Sequence, residues 1–298
     1  MIISIASGKG GTGKTTIAVN LALSLSNVQF IDCDVEEPNA HLFLKPEMNK
    51  KISACIPVPE VDEEKCTYCG KCKEVCAYNA FAVFKGNSDK DGSIIVFPHL
   101  CHGCGSCKLF CPENAIKEVD REIGIIEIGN AKDIEFVHGK LNIGEPMAPP
   151  LIRQVKDHIK PEKTVIIDAP PGTSCPVVET VKASDYCILV TEPTPFGLND
   201  LILAVEVLKK MKIPFGIVIN RSDIGDNHTE EYCEKEKIPI LMKIPFKREI
   251  AFAYSKGISI IEALPVWKEN FQDLFSEIKC NITKNTDEDN SSLNRGSL

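Results

Sequence analysis

No stretch of the 298-residue chain approaches the ~18 consecutive apolar residues that a membrane span needs. Positive charge is also in deficit: 34 Lys and Arg stand against 42 Asp and Glu, a formal net charge of -8. Nucleic acids and anionic membranes favour basic surfaces, so neither is expected as the main partner. The apolar start "MIISIA" has no basic region before it and no small-residue cleavage site after it, so no secretory signal is expected. What the chain does have is cysteine, 14 residues of it. A secreted disulfide scaffold would call for a leader and a short chain. The expected compartment is therefore the reducing cytoplasm, where cysteine clusters read as metal ligands.

Short apolar runs ending in polar or Gly/Pro residues recur along the chain: "IISIA", "VQFIDCD", "KTVIIDAPPG", "DYCILVTEPT", "FGIVINRSD" and "ILMKIP". Stretches with helical spacing separate them, including "KTTIAVNLALSLS" and "GLNDLILAVEVLKKMK", with further helices expected near 248–256 and 266–279. This alternation predicts an α/β fold with a largely parallel sheet covered on both faces. It breaks between about 60 and 120. There "CTYCGKCKEVCAYNAF" (66–81) repeats as "CHGCGSCKLFCPENAI" (101–116), with four cysteines, a glycine and an Asn-Ala dipeptide in register. The intervening "AVFKGNSDKDGSIIVF" reads as a hairpin with a polar tip. The expected layout is 1–59 and 121–280 as one α/β domain, 60–120 as an inserted small α+β module, and 281–298 as a disordered polar tail.

"GKGGTGKT" (8–15) matches G-x-x-x-x-G-K-[ST] between a predicted strand and a predicted helix. Glycines let backbone N–H groups curl around phosphate oxygens, and the helix N-terminus adds a favourable dipole. Gly8, Gly10, Gly11, Thr12, Gly13, Lys14, Thr15 and Thr16 are the expected ATP contacts. Lys14 reaches the β- and γ-phosphates and Thr15 ligates Mg²⁺ in this arrangement.

Each cysteine run has the spacing C-x2-C-x2-C-x3-C. Zinc ribbons also use C-x2-C pairs, but a zinc site needs only four of these eight thiols and has no reason for the x3 spacing. The region resembles a bacterial two-cluster ferredoxin over about 55 residues. In that arrangement the fourth cysteine of each run ligates the other run's cluster. The expected sets for two [4Fe-4S] clusters are Cys66, Cys69, Cys72 and Cys111, and Cys101, Cys104, Cys107 and Cys76. Pro112 follows the second run as the pattern specifies, whereas Ala77 follows the first.

The loop's second lysine, Lys9, makes "KGGTGKTT" similar to the deviant Walker A motif of the MinD/ParA/Mrp and nitrogenase-iron-protein class of P-loop ATPases. The resemblance covers roughly 1–57 and 120–280. It implies a dimer, homomeric or between paralogues, with Lys9 reaching the partner's nucleotide. It also implies a switch I acid that orients the attacking water, for which Asp34 fits best, with Asp32 as a capping or Mg²⁺-linked alternative. Asp168 would hold Mg²⁺ through water, Gly172 would sense the γ-phosphate, and Asn220 would bind adenine with Pro245 and Phe246 nearby. The combination resembles MinD-superfamily ATPases with an inserted ferredoxin domain, to which "LNIGEPMAPPLI" and "DAPPGTSCP" add.

Six cysteines remain. Cys33, Cys55, Cys187, Cys233 and Cys280 are scattered and read as incidental or buried residues. Cys175 lies seven residues beyond Asp168, an offset at which the nitrogenase iron protein binds a cluster shared across its dimer. The resemblance offers it as an interface cluster ligand, with Cys55 or Cys187 as companions, or else as a packing residue before Pro176. The C-terminal C-x-x-C of Mrp-type carriers is missing, and the end is mixed in charge rather than a basic membrane helix. These resemblances imply a slow, partner-stimulated ATPase. Three uses follow: low-potential electron transfer to a redox partner, delivery of a metallocluster to an apo-protein client, or a ParA-like positioning switch.

Overall fold

The computed structural model describes residues 1–86 and 92–293, with side chains through residue 283. The chain forms two compact units: Met1–Lys51 with Ile126–Lys140 and Ile152–Leu298, and Ile52–Ile125 with Leu141–Leu151.

In chain order the larger unit begins with β1 (Ile2–Ala6), α1 (Lys14–Ser24), β2 (Val28–Asp32) and α2 (His41–Leu44). The long strand β3 (Glu47–Val61) carries the chain out of it. The smaller unit holds α3 (Lys71–Val75), β4 (Phe81–Phe84), β5 (Ser93–Val96), a single 3-10 turn at Pro98–Leu100 and α4 (Ser106–Leu109). The chain returns on β6 (Ile116–Ala131) and β7 (Ile134–Leu141). Then follow α5 (Pro149–Lys156), β8 (Thr164–Asp168), α6 (Cys175–Val181), β9 (Tyr186–Thr191), α7 (Pro195–Met211) and β10 (Phe215–Asn220). The chain ends with α8 (His228–Glu236), β11 (Ile240–Ile244), α9 (Arg248–Ser255), α10 (Ile260–Ala263) and α11 (Trp267–Leu293).

The sheet order is β11-β10-β9-β1-β8-β2-β7-β6-β3. Every pairing from β11 to β7 is parallel. Its central strands are buried on both faces, as near-continuous apolar runs require. Alternate residues serve opposite layers: Tyr186, Ile188 and Val190 face a core with α1 and α11, while Cys187 and Leu189 face one with α6 and α7. Thr194 caps α7, its hydroxyl accepting from the Gly197 amide at 3.0 Å, with Pro195 at the first helical position. Among the described residues, no helix is long and apolar enough to cross a membrane.

The α/β alternation and the helices at 248–255 and from 267 match the sequence reading. The sheet edge formed by β7, β6 and β3 does not appear in it. "REIGIIEIGNA" mixes apolar, glycine and charged residues without strict alternation, and its place in the sheet comes from a long-range neighbour. Gly129 lies so close to β3 that a Cβ would sit 2.2 Å from the Glu47 carbonyl. The expected breaks at 60 and 120 also move, to 52 and 125, and 141–151 joins the smaller unit. Its tie is visible: the Asn142 amide donates to Ile123 O at 2.9 Å, and Arg121 pairs with the buried Glu145. The tail expected to be disordered is helical as far as Leu293, a stretch with no proline or glycine to end α11; residues 294–298 lie outside the described ones. In the smaller unit β4 and β5 form the expected antiparallel hairpin. Its tip, 87–91, lies outside the described residues.

Candidate nucleotide site and cysteine cages

β1 delivers the chain into the glycine loop at the carboxyl edge of the parallel strands, where open α/β sheets bind ligands. Gly11 and Gly13 have φ of +80° and +95°, the left-handed region that turns the loop into α1. A Cβ on Gly8 would lie 2.2 Å from the Asp200 carbonyl, and one on Gly13 2.6 Å from the Asn220 amide nitrogen. The loop is thus held between α7 and the end of β10. Asn220 Nδ2 donates to Thr12 O at 2.9 Å, so this residue braces the loop.

Asp32 and Asp168 end the neighbouring strands β2 and β8 and pair directly in register. Both are fully buried. Burial, then the Asp168 charge, pushes Asp32 well above the usual carboxylate range, although it accepts from the Asp34 amide at 3.0 Å and the Ala40 amide at 3.2 Å. Burial raises Asp168 to about 7 against the opposing pull of the Thr15 hydroxyl and Lys14. Neither Asp168 oxygen completes a hydrogen bond of ordinary geometry, and Thr12 Oγ1 is likewise buried without one. Asp34 is raised to about 6 by burial, with Lys14 opposing. Buried carboxylates without enough donors suit a divalent cation, which would satisfy the orphaned oxygens and pull these groups back to the ionised form. The residues therefore fit Mg²⁺.

Lys9 lies 3.9 Å from Glu192 Oε2, and Arg221 3.1 Å from Oε1 of the same carboxylate. Sequence reasoning passed over Glu192. Its signal was present, since like Asp168 it is an acid at the carboxyl end of a predicted strand. Gly172 has φ +97°, and its amide donates to Ser7 O at 3.0 Å, tying the loop after β8 to the strand that feeds the glycine loop. Phe246 is exposed, with the Arg221 guanidinium 6.0 Å from its ring, so it is not core. Cys175 is exposed and opens α6. Cys187 is fully buried inside β9, its thiol pushed far up by burial, and so cannot join Cys175 in a surface site. Lys156 donates to the carbonyls of Glu179, Thr180 and Lys182 at 2.7–2.8 Å and caps the C-terminus of α6.

In the smaller unit the two cysteine runs adopt the same local structure. Gly70 and Gly105, in equivalent positions, have φ of +83° and +72° and start α3 and α4. Tyr68 and Gly103 both lie in the left-handed region, as do Asn79 and Asn114. These turns aim amides at sulfur. Tyr68 N donates to Cys66 Sγ and Gly103 N to Cys101 Sγ, both at 3.4 Å. Ala80 N donates to Cys76 Sγ and Ala115 N to Cys111 Sγ, both at 3.3 Å. The repeated Asn-Ala dipeptide thus has a reason: asparagine tolerates the left-handed turn, and the next residue's amide meets the fourth thiol.

Two cavities lie among these thiols. Cys66, Cys69, Cys72 and Cys111 line one. Cys76, Cys101, Cys104 and Cys107 line the other. Each cavity takes three thiols from one run and the fourth from the other. Among the described residues no three or more His, Cys, Asp or Glu converge as they would around a single ion. Burial pushes Cys107 up to about 11, so without a metal it would stay a thiol. Four thiols spread around a space wider than one ion, with amides already directed at sulfur, fit a multi-iron cluster.

A glycine loop opening a helix beside two strand-terminal aspartates defines a P-loop nucleotide hydrolase. The family model for the CobQ/CobB/MinD/ParA nucleotide binding domain matches residues 3–260, and the chain belongs to that family. It is a P-loop ATPase. Two uncharacterized proteins of Methanocaldococcus jannaschii are each 33% identical to it, over 94% and 88% of this chain and 96% and 92% of their own lengths. An iron-sulfur cluster carrier protein of Pyrococcus horikoshii is 27% identical over 87% of this chain and 78% of that protein. Among solved structures, the septum site-determining protein MinD of Pyrococcus horikoshii, complexed with Mg-ADP, is similar with a TM-score of 0.57 at 20% identity. The match covers 93% of this chain and 95% of that one, and it shows the shared fold.

Proposed function

We propose that the chain is a dimeric, ATP-hydrolysing iron–sulfur protein in which nucleotide state controls low-potential electron transfer through two [4Fe-4S] clusters. The observation that carries this reading is the pair of cavities, each lined by the crossed thiol quartet of a two-cluster ferredoxin. The inserted unit is then the electron-carrying module. Each cluster, when bound, supplies a one-electron couple whose potential depends on hydrogen bonds to sulfur, and the four amide-to-sulfur contacts would tune it.

In the larger unit, the loop amides from Gly8 to Thr15 cradle phosphate oxygens and Lys14 neutralises charge on the β- and γ-phosphates. Thr15 and Asp168 are the residues that would hold Mg²⁺, which would neutralise charge on the β- and γ-phosphates. Asp34 orients the attacking water, and Asp32, held by the Ala40 and Asp34 amides, positions the switch segment. Lys9 leaves Glu192 to reach the partner subunit's nucleotide, so turnover is slow alone and rises with a partner. Lys14→Ala should abolish turnover while leaving the visible absorption of the clusters intact. If a variant lacking all eight cage cysteines still reduced an electron acceptor, the redox reading would be wrong.

A second reading, cluster delivery to an apo-protein, is supported by the relatives named iron-sulfur cluster carrier proteins and by the exposure of Cys175. It predicts more than about eight labile irons per chain after anaerobic reconstitution, with the excess lost in Cys175→Ser. About eight irons in both proteins would leave the electron-transfer reading alone.

A further inference from the structure

A third cavity lies within the larger unit, and no glycine-loop residue lines it. It opens to solvent, has a volume of about 410 Å³, and is walled by His41 and Lys45 from α2 and its end, Glu127 from β6, and His138 and Lys140 from β7. His138 is only 5% exposed; its Nε2 lies 3.0 Å from Glu127 Oε2. Its other ring nitrogen, Nδ1, is buried without a hydrogen-bond partner. A buried imidazole nitrogen left unpaired is costly unless a ligand satisfies it. The His41 ring stands edge-on to His138, with centroids 5.6 Å apart. Among the described residues, neither Lys45 nor Lys140 is in an ion pair. The Glu127 charge faces His138, so two ammonium groups dominate the cavity's field. Burial first, then the His138 and Lys140 charges, push His41 below the usual histidine range, against Glu127 and the Pro38 carbonyl.

We propose that this cavity binds a small anion carrying a carboxylate or phosphate group, with Lys45 and Lys140 pairing to its charge and His138 engaging it as the imidazolium, Nε2–H donating to Glu127 and Nδ1–H to the anion. A metal ion is the poorer occupant, because two ammonium groups would oppose its charge and no triad of ligands converges there among the described residues. The site also has a route to the nucleotide. Ala40, next to His41, donates its amide to Asp32 Oδ2, and Asp32 pairs in register with Asp168. An anion that holds α2 would thereby fix the segment from Asp32 to His41. By linkage it would change Mg²⁺-nucleotide affinity, and the nucleotide would change anion affinity by the same factor.

The test is calorimetry on the full chain saturated with Mg-ADP, so that the glycine loop is occupied. Inorganic phosphate and succinate are titrated separately, which distinguishes phosphate from carboxylate recognition. One saturable site per chain is expected for at least one of them, weakened at least tenfold in Lys45→Ala/Lys140→Ala. Both lysines are exposed, so the double variant should fold; a conserved circular dichroism spectrum checks this. His138→Gln should weaken the same site. The proposal is overturned if neither anion binds saturably, if the double lysine variant binds as the parent does, or if Zn²⁺ binds there and the anions do not.

Discussion

The carboxylates beneath the glycine loop make nucleotide binding depend on pH in a calculable way. In the metal-free fold Asp168 sits at about 7 and Asp34 at about 6, both raised chiefly by burial. Mg²⁺ favours their ionised forms, as a ligand at Asp168 and through its nearby charge at Asp34, so binding displaces their protons. The sign follows: Mg²⁺-dependent affinity strengthens as pH rises through 6 to 7 and levels off above 8. With both groups ionising on binding, the dissociation constant at pH 6 should exceed that at pH 8 by ~20-fold, about tenfold from Asp168 and twofold from Asp34. If Asp32 also ionises, the ratio is larger. The assay is anaerobic calorimetry of ADP binding with excess Mg²⁺ and with EDTA, the EDTA series removing the nucleotide's own titration. Asp168→Asn should lose most of the Mg²⁺ enhancement and retain only about a twofold pH effect. The same linkage acts on the fold. Between about pH 4 and 7 the native state holds protons that the unfolded chain has released, so metal-free stability falls as pH rises through that window. Asp168→Asn should therefore be more stable than the parent at pH 8 without Mg²⁺, by a few kcal/mol at most. A dissociation constant that changes less than threefold between pH 6 and 8, or an Asn variant that keeps the full dependence, would refute the reasoning.

Other expectations can be checked independently. Gly13→Ala combines a left-handed φ of +95° with a Cβ only 2.6 Å from Asn220 Nδ2, and should weaken nucleotide binding at least tenfold by equilibrium titration. Cys111→Ser and Cys66→Ser should remove the same cluster although the residues lie in different runs, each lowering iron from about eight to about four atoms per chain with matching EPR losses. Lys156→Met removes a donor from three carbonyls at the end of α6, and should cost about 1–3 kcal/mol in denaturant unfolding. Ala115→Pro deletes the amide that meets Cys111 Sγ, and should lower the potential of one cluster in protein-film voltammetry while the other keeps its value.

Much of the candidate site is legible because its signals are local. A glycine loop needs its spacing, not its neighbours, and the strand-terminal acids Asp32 and Asp168 announce themselves by position. The α/β alternation reads directly from short apolar runs. The β7-β6-β3 edge was not legible, because "REIGIIEIGNA" becomes a strand by pairing with distant chain rather than by its own periodicity. Asn220 shows a different limit. The sequence names the residue, but only the fold shows its amide bracing Thr12, since those positions are 208 residues apart. Glu192 has the same strand-end signal as Asp168 yet acquires meaning only through Lys9 and Arg221, which arrive from other loops.

The cysteine runs divide the two kinds of information most clearly. Spacing alone determined which thiols belong to each run, that the run is duplicated, and that eight thiols can be metal ligands. The resemblance to a two-cluster ferredoxin already implied the crossed sets; the cavities that they line and the amide-to-sulfur contacts belong to the tertiary structure, because they depend on how the two halves fold against each other. So does the anion cavity, whose lysines and histidines lie about 100 residues apart in sequence and share no motif. Local spacing encodes chemistry that one short segment can perform. Burial, unpaired ring nitrogens and raised carboxylates exist only once distant segments exclude water together.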